Sequence, residues 1–255
     1  MADTSKLLAG RTAIVTGSGR NLGRGMILAF AGAGANVVVN GHRDRDAIER
    51  VAEEARALGV EAKAIMADVS QPQECERLVA ETVSAFGSAD IAVANVGLRP
   101  RQAFLDITVE DWRRVIETNL SSAFYLARAV LPEMKKRNWG RIIHISGRDG
   151  FFTIGHRAHN VTCKAGLHSL AKAIAIEFGE FGITANTIAP GKMDTVRDEK
   201  HYPGYREAWA EAVKAMPLRR LGTAEDVGEA CLYLACGGEY VTGQLLHLNG
   251  GEFLF

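Results

Sequence analysis

Ala13-Ile14-Val15-Thr16-Gly17-Ser18-Gly19-Arg20-Asn21-Leu22-Gly23 is the stretch that decides the fold. An apolar run enters a glycine-rich turn, and a helical stretch from Leu22 to Ala33 leaves it. That order reads as a first parallel strand turning into a helix. Glycines let the backbone approach phosphate oxygens with no Cβ in the way, and the first helical turn offers free N–H groups and the positive end of the helix dipole. Gly17, Gly19, Arg20, Asn21, Leu22 and Gly23 are therefore expected to hold the diphosphate of a nucleotide.

Working outward, short apolar runs alternate with helical periodicity almost to the end. Strands are expected near 12–16, 36–40, 61–66, 90–94, 140–146, 183–189 and 244–248. Their Val, Ile and Ala runs are continuous rather than alternating, which suits a sheet covered on both faces, and a helix between each pair permits right-handed parallel crossovers. The expectation is a single α/β domain over residues 1–255, a doubly wound Rossmann sheet of seven parallel strands with helices on both faces. Ligands in such sheets bind beyond the carboxyl ends of the strands, where Asp68, Asn95, Ser146 and Pro190 fall. Residues 195–216 break the rhythm with Asp198-Glu199-Lys200-His201-Tyr202-Pro203-Gly204 and read as a mobile substrate lid.

Composition narrows the partners. Thirty basic and thirty acidic side chains in 255 residues leave no electrostatic footprint for nucleic acid or an anionic membrane. No stretch approaches the roughly 20 apolar residues of a bilayer span, and Met1 to Gly10 lacks the apolar segment of a signal peptide. A soluble, cytoplasmic protein acting on a small molecule is expected. Cys75, Cys163, Cys231 and Cys236 lack paired spacing, so they read as reduced thiols rather than a disulfide framework or a metal site.

Taken together, these features resemble the short-chain dehydrogenase/reductase family from Gly10 to about Gly251. Thr16, Gly17 and Gly23 fit its TGxxxGxG turn. Asp68-Val69 looks like its adenine-contacting pair, and Ala94-Asn95-Val96-Gly97 is similar to its NNAG element. Asn119 falls at its helix-four Asn, Lys164 at its active-site Lys, and Pro190-Gly191-Lys192-Met193-Asp194-Thr195 at its PGxxxT loop beside the nicotinamide. The resemblance implies a nicotinamide cofactor, and a homotetramer. An apolar stripe at Leu167, Leu170, Ala171, Ile174, Ala175 and Phe178 is read as wider than one sheet face needs, pointing to oligomers as well.

Two departures shape the functional expectation. Asn21 stands where the family has its middle glycine, and Asn is the residue next most tolerant of positive φ. At the end of the second strand Asn40-Gly41-His42-Arg43 offers no carboxylate to a ribose 2′-hydroxyl, whereas Arg20 and Arg43 suit a 2′-phosphate; NADP(H) is favoured over NAD(H). In the family's catalytic set a Tyr exchanges the proton, a Ser orients the carbonyl and a Lys supports the Tyr and the ribose. Here Asn160 occupies the Tyr position, four residues before Lys164, and Gly147 the Ser position, with Ser146 one residue early. Neighbours on a strand face opposite ways, so Ser146 substitutes only if the chain has left strand geometry. An amide has no proton to exchange near neutral pH. His156 is the first choice of substitute acid, with His144, Asp149 and His159 also available and Arg148 able to polarise an oxygen.

The expected catalytic group is thus Asn119, Ser146, His156, Asn160 and Lys164. The expected activity is hydride transfer between NADP(H) and a small carbonyl or alcohol with an altered proton donor. Two alternatives stand beside it: an inactive subunit that scaffolds an active relative in a hetero-oligomer, and a lyase or hydrolase using the same pocket. Leu98, Arg99, Arg101, Phe151 and Phe152 suggest an acidic aromatic substrate.

Overall fold

A computed structural model describes residues 7–152, 155–196 and 204–254. Seven strands, β1 (Thr12–Val15), β2 (Asn36–Gly41), β3 (Ala62–Met66), β4 (Ile91–Ala94), β5 (Gly140–Ile145), β6 (Ile183–Pro190) and β7 (Leu245–Leu248), form one sheet in the order β3-β2-β1-β4-β5-β6-β7. Every pairing is parallel. Each strand lies within a residue or so of its sequence expectation.

Alternation sorts the apolar side chains between two cores. Val15, Val39, Val93, Ile143 and Ile145 pack against α1 (Asn21–Gly32), α2 (Arg45–Arg56) and α8 (Ala224–Leu232). Ile14, Val38, Ala92, Ile142 and Ala185 face α3 (Pro72–Phe86), α5 (Ser122–Lys136) and α6 (Ala158–Phe178). A strand whose consecutive residues are all apolar is stable only when both faces are covered, which these helices achieve. Between α4 (Val109–Ile116) and α5 the backbone takes one π-helical turn, Glu117–Ser121.

The apolar stripe of α6 packs within this fold. Leu167, Ala171, Ile174 and Ala175 are buried in the core, with Leu170 and Phe178 packed against it. Within one chain the sheet and its neighbouring helices already cover this stripe, so its width alone does not call for a partner. The cysteines are free; Cys75, Cys163 and Cys231 are buried and Cys236 is partly covered. No helix among the described residues is long and apolar enough to cross a membrane. Of the expected lid, residues 197–203 lie outside the described residues, and α7 (Tyr205–Ala215) follows with Tyr205 and Trp209 buried.

Candidate active site

The order places β1 between β2 and β4, so the chain winds in opposite directions on either side of the β1/β4 boundary and leaves a crevice at the carboxyl ends. The glycine-rich turn forms one wall. Gly17 has φ 62°, and a Cβ at Gly23 would lie 2.5 Å from the Gly17 carbonyl oxygen and the Ser18 Cα. Both positions require glycine, the first for conformation and the second for space. Arg20 precedes α1 in extended backbone, and no side chain caps the helix. The amino end of α1 is thus left open to a ligand, as an anion-binding helix terminus requires.

Neighbouring strands hold the turn by hydrogen bonds. Asn95 donates its amide to the carbonyls of Thr16 and Gly17, both at 3.0 Å, and its backbone N–H to Thr16 Oγ1. Asn40, absent from the sequence reading of the site, is buried where β2 ends: its Oδ1 accepts from Gly17 N, and its Nδ2 donates to the carbonyls of Ile65 and Ala67. A polar residue closing an otherwise apolar strand was the available signal. Asn21 has φ 48°, the positive conformation expected of a residue in a glycine's place. Its amide also pairs with the backbone of Val196, accepting at 3.1 Å and donating at 3.2 Å, so the loop after β6 is fastened to the turn.

Arg20 and Arg43 are exposed at the same end of the sheet. Arg43 precedes Asp44, which caps α2 by accepting from Ala47 N. Asp68 accepts from the N–H and hydroxyl of Ser70 and lies 3.7 Å from His42, while Val69 is buried behind it. Leu22 lies partly covered beside Gly23 at the start of α1. Opposite the turn, Gly191 donates to Leu248 O, and Thr195 Oγ1 donates to Met193 O at 3.4 Å.

The deeper part of the crevice holds a continuous polar cluster. Asn119, in the π-helical turn, clamps the loop after β4: Oδ1 accepts from Leu98 N at 2.6 Å and Nδ2 donates to Leu98 O at 2.7 Å. The same Nδ2 reaches Asn160 Oδ1 at 3.1 Å, and Asn160 Nδ2 donates to Asp149 Oδ2 at 2.7 Å. Arg157 donates to that oxygen at 3.0 Å, and the Asp149 carboxylate is 16% exposed. Lys164 is buried one helical turn beyond Asn160, with Nζ donating to Ile145 O at 2.8 Å. Burial, with Arg99 nearby, lowers its pKa to about 8. A Cβ at Gly97 would sit 3.7 Å from Lys164 Nζ and 3.9 Å from Asn119 Oδ1, so the bare backbone there keeps the approach to both open.

The other expected catalytic residues face elsewhere. Ser146 still follows the strand, its N–H donating to Ile188 O, and its hydroxyl is turned onto α6, donating to Lys164 O at 3.1 Å and meeting His168 Nε2 at 2.7 Å. Ser146 shares its face with His144, as alternation requires, so its hydroxyl is engaged by α6. His144 is fully enclosed, Nδ1 donating to Leu167 O, and burial lowers its pKa to about 4. His159 Nδ1 accepts from Asn160 N and Nε2 donates to Gln102. His156 is exposed in a loop with φ 70°, and among the described residues no hydrogen bond joins its ring to Asn119, Asn160 or Lys164. His168, unmarked in the sequence, stacks on Phe151 at 4.6 Å, and burial lowers its pKa to about 4.

The open amino end of α1, the two obligatory glycines and the exposed arginines fit a phosphorylated dinucleotide. Lys164, Asn119 and Gly97 leave a polar floor where its nicotinamide ribose would rest. A family described as enoyl-(acyl carrier protein) reductase matches residues 17–252. The chain is 34% identical over 245 residues to a 3-oxoacyl-[acyl-carrier-protein] reductase of Staphylococcus epidermidis, covering 96% of this chain and 99% of that one. It is 35% identical over 254 residues to a D-beta-hydroxybutyrate dehydrogenase of Rhizobium meliloti, covering 94% and 98%. A solved structure named as a candidate gluconate dehydrogenase from Agrobacterium tumefaciens superposes with a TM-score of 0.89 at 34% identity, over 96% of each chain. With a family match over residues 17–252 and sequence shared along nearly its whole length, the chain belongs to the short-chain dehydrogenase/reductase family of oxidoreductases.

Proposed function

We propose that this protein is an NADP(H)-dependent oxidoreductase interconverting a small alcohol and its carbonyl compound, with the Asp149 carboxylate exchanging the proton. The observation that carries this reading is the Asp149–Asn160 hydrogen bond at 2.7 Å, which sets an ionisable group where the family's tyrosine would reach. Both amides of the cluster lack an exchangeable proton, Lys164 Nζ is bonded to Ile145 O, and His144, Ser146 and His159 are tied up in the packing of α6. Asp149 remains. Its Oδ2 accepts from Asn160 and Arg157, and Oδ1 is left for a substrate hydroxyl.

When bound, the dinucleotide takes the carbinol hydrogen with its electron pair, or returns it. In oxidation Asp149 accepts the hydroxyl proton as the carbonyl forms and passes it to solvent; in reduction a proton from solvent travels the reverse route. Asn160 orients Asp149, and Asn119 orients Asn160. Lys164 presents its ammonium to ribose hydroxyls. Arg20 and Arg43 receive the 2′-phosphate, with no carboxylate at the end of β2 to compete. The names of the relatives, a hydroxybutyrate dehydrogenase and a 3-oxoacyl reductase, support an alcohol–carbonyl pair as the substrate class.

Calorimetric titration with NADPH and NADH tests this, followed by nicotinamide absorbance assays on small hydroxy compounds and ketones. The expected result is tighter binding of NADPH by about tenfold or more, the scale of one charge-assisted contact. Absence of binding for either dinucleotide overturns the reading.

A further inference from the structure

A second polar group stands where the loops after β5 and β6 meet the segment after β7. Arg148 opens a 3-10 turn, Arg148–Gly150, whose Gly150 packs so closely on α6 that a Cβ would lie 2.7 Å from His168 Cε1. Phe151, closing the turn, stacks on the His168 ring. The turn is therefore held rigidly, and Arg148 is directed toward the chain's end, where NH1 donates to Glu252 Oε1 at 3.0 Å. Lys192, in the loop after β6, donates to the same Glu252 oxygen.

Glu252 is 10% exposed, and its second oxygen, Oε2, is buried with no hydrogen-bond partner among the described residues. That oxygen faces Gly191, where a Cβ would approach it to 3.2 Å. An enclosed carboxylate oxygen without a donor is costly unless something supplies one. Two formal positive charges meet one negative charge here, so the group keeps a single positive excess. Arg148 is 40% exposed and has further N–H groups to offer. Donors for an anion thus lie beside an acceptor without a donor, just beyond the carboxyl ends of β5 and β6.

We infer that Arg148, Lys192 and Glu252 form a subsite for a hydroxy acid. The substrate's carboxylate lies on Arg148 and Lys192, and the Glu252 side chain turns outward so that a hydroxyl of the same molecule donates to Oε2. This rests on the oxidoreductase reading and names its substrate class: small hydroxycarboxylates rather than neutral alcohols or sugars.

The test is calorimetry on protein saturated with NADP+, using matched probes: D-gluconate against D-glucitol, 3-hydroxybutyrate against 1,3-butanediol, and 3-hydroxybutyrate against butyrate. In at least one of the first two pairs the acid should bind about tenfold or more tightly than the alcohol, the return of one charge-assisted hydrogen bond. Arg148→Met, or Lys192→Met should the first variant fold poorly, should abolish that preference while NADP+ affinity stays within about twofold, a difference under 0.5 kcal/mol. Glu252→Leu should keep the preference for acids and lose the preference for 3-hydroxybutyrate over butyrate. If NADP+ binds and no acid is preferred to its alcohol, the subsite is wrong and the oxidoreductase reading survives. If both preferences persist in the variants, the subsite is likewise wrong. If NADP+ does not bind at all, the underlying reading fails and takes the subsite with it.

Discussion

Asn160 Nδ2 and Asp149 Oδ2 are 2.7 Å apart, and through this contact a buried amide on α6 fixes a carboxylate at the mouth of the crevice. The short side chain of Asn160 leaves room that the loop after β5 fills with Asp149. The proposed proton transfer and a space-filling role both rest on this contact, and they can be separated.

Asp149→Asn keeps the shape and removes the proton acceptor. Turnover of any alcohol the protein oxidises should fall by about 10²–10⁴, the usual contribution of a positioned acid or base. Substrate KM and NADP+ affinity should change little. Retained activity would remove Asp149 from the mechanism.

Asn160→Tyr introduces a ring where Asp149 now stands. Alone it should destabilise the protein by about 1–3 kcal/mol in urea unfolding, the common cost of overfilling a packed site. Asp149→Ala added to it should recover most of that loss. If Asn160→Tyr is as stable as the wild type, the carboxylate does not occupy the ring's space.

Gly23→Ala tests the diphosphate cradle. The added carbon meets backbone at 2.5 Å, so the turn must open. NADPH affinity should drop at least about tenfold, or 1.4 kcal/mol, by calorimetry, while circular dichroism keeps its helical signature. Unchanged affinity would place the dinucleotide elsewhere.

Lys164 gives stability a particular pH dependence. Burial lowers its pKa from 10.5 to about 8. Between those values the unfolded chain holds a proton that the folded chain has released, so this residue makes stability rise with pH there and leaves it flat below about 8. Relative to Lys164→Met, the wild type should gain up to about 3 kcal/mol between pH 8 and 10.5. Urea denaturation at half-unit steps measures it, and a constant difference between the two proteins would contradict the burial.

His144 acts at the other end of the range. Its pKa, lowered by burial from 6.5 to about 4, means that the unfolded chain binds a proton first as the pH falls through 6.5. Stability should decline from pH 6.5 toward 4 and do so less steeply in His144→Gln, as read from urea midpoints. Equal slopes would show that His144 is protonated in the folded state.

What the amino-acid order determined by itself was everything local: the strand rhythm, the glycines of the turn and the positive φ accepted by Asn21. These depend on backbone conformation and on period, which neighbours in the chain set. The group proposed to exchange the proton was not legible in the same way. His156 and Ser146 are near Asn160 and Gly147 in sequence, yet one is turned to solvent and the other onto α6. Asp149 was only one of several candidates until Arg157 and Asn160 converged on one of its oxygens. The α6 stripe was read as surplus because its width was judged against one sheet face, whereas α5 and the sheet together cover it. Asn40, Glu252 and Lys192 gained their contacts from strands and loops far away in sequence. Side-chain direction at the end of a parallel sheet depends on how three or four strands and their loops meet, and only the packed tertiary structure decides that.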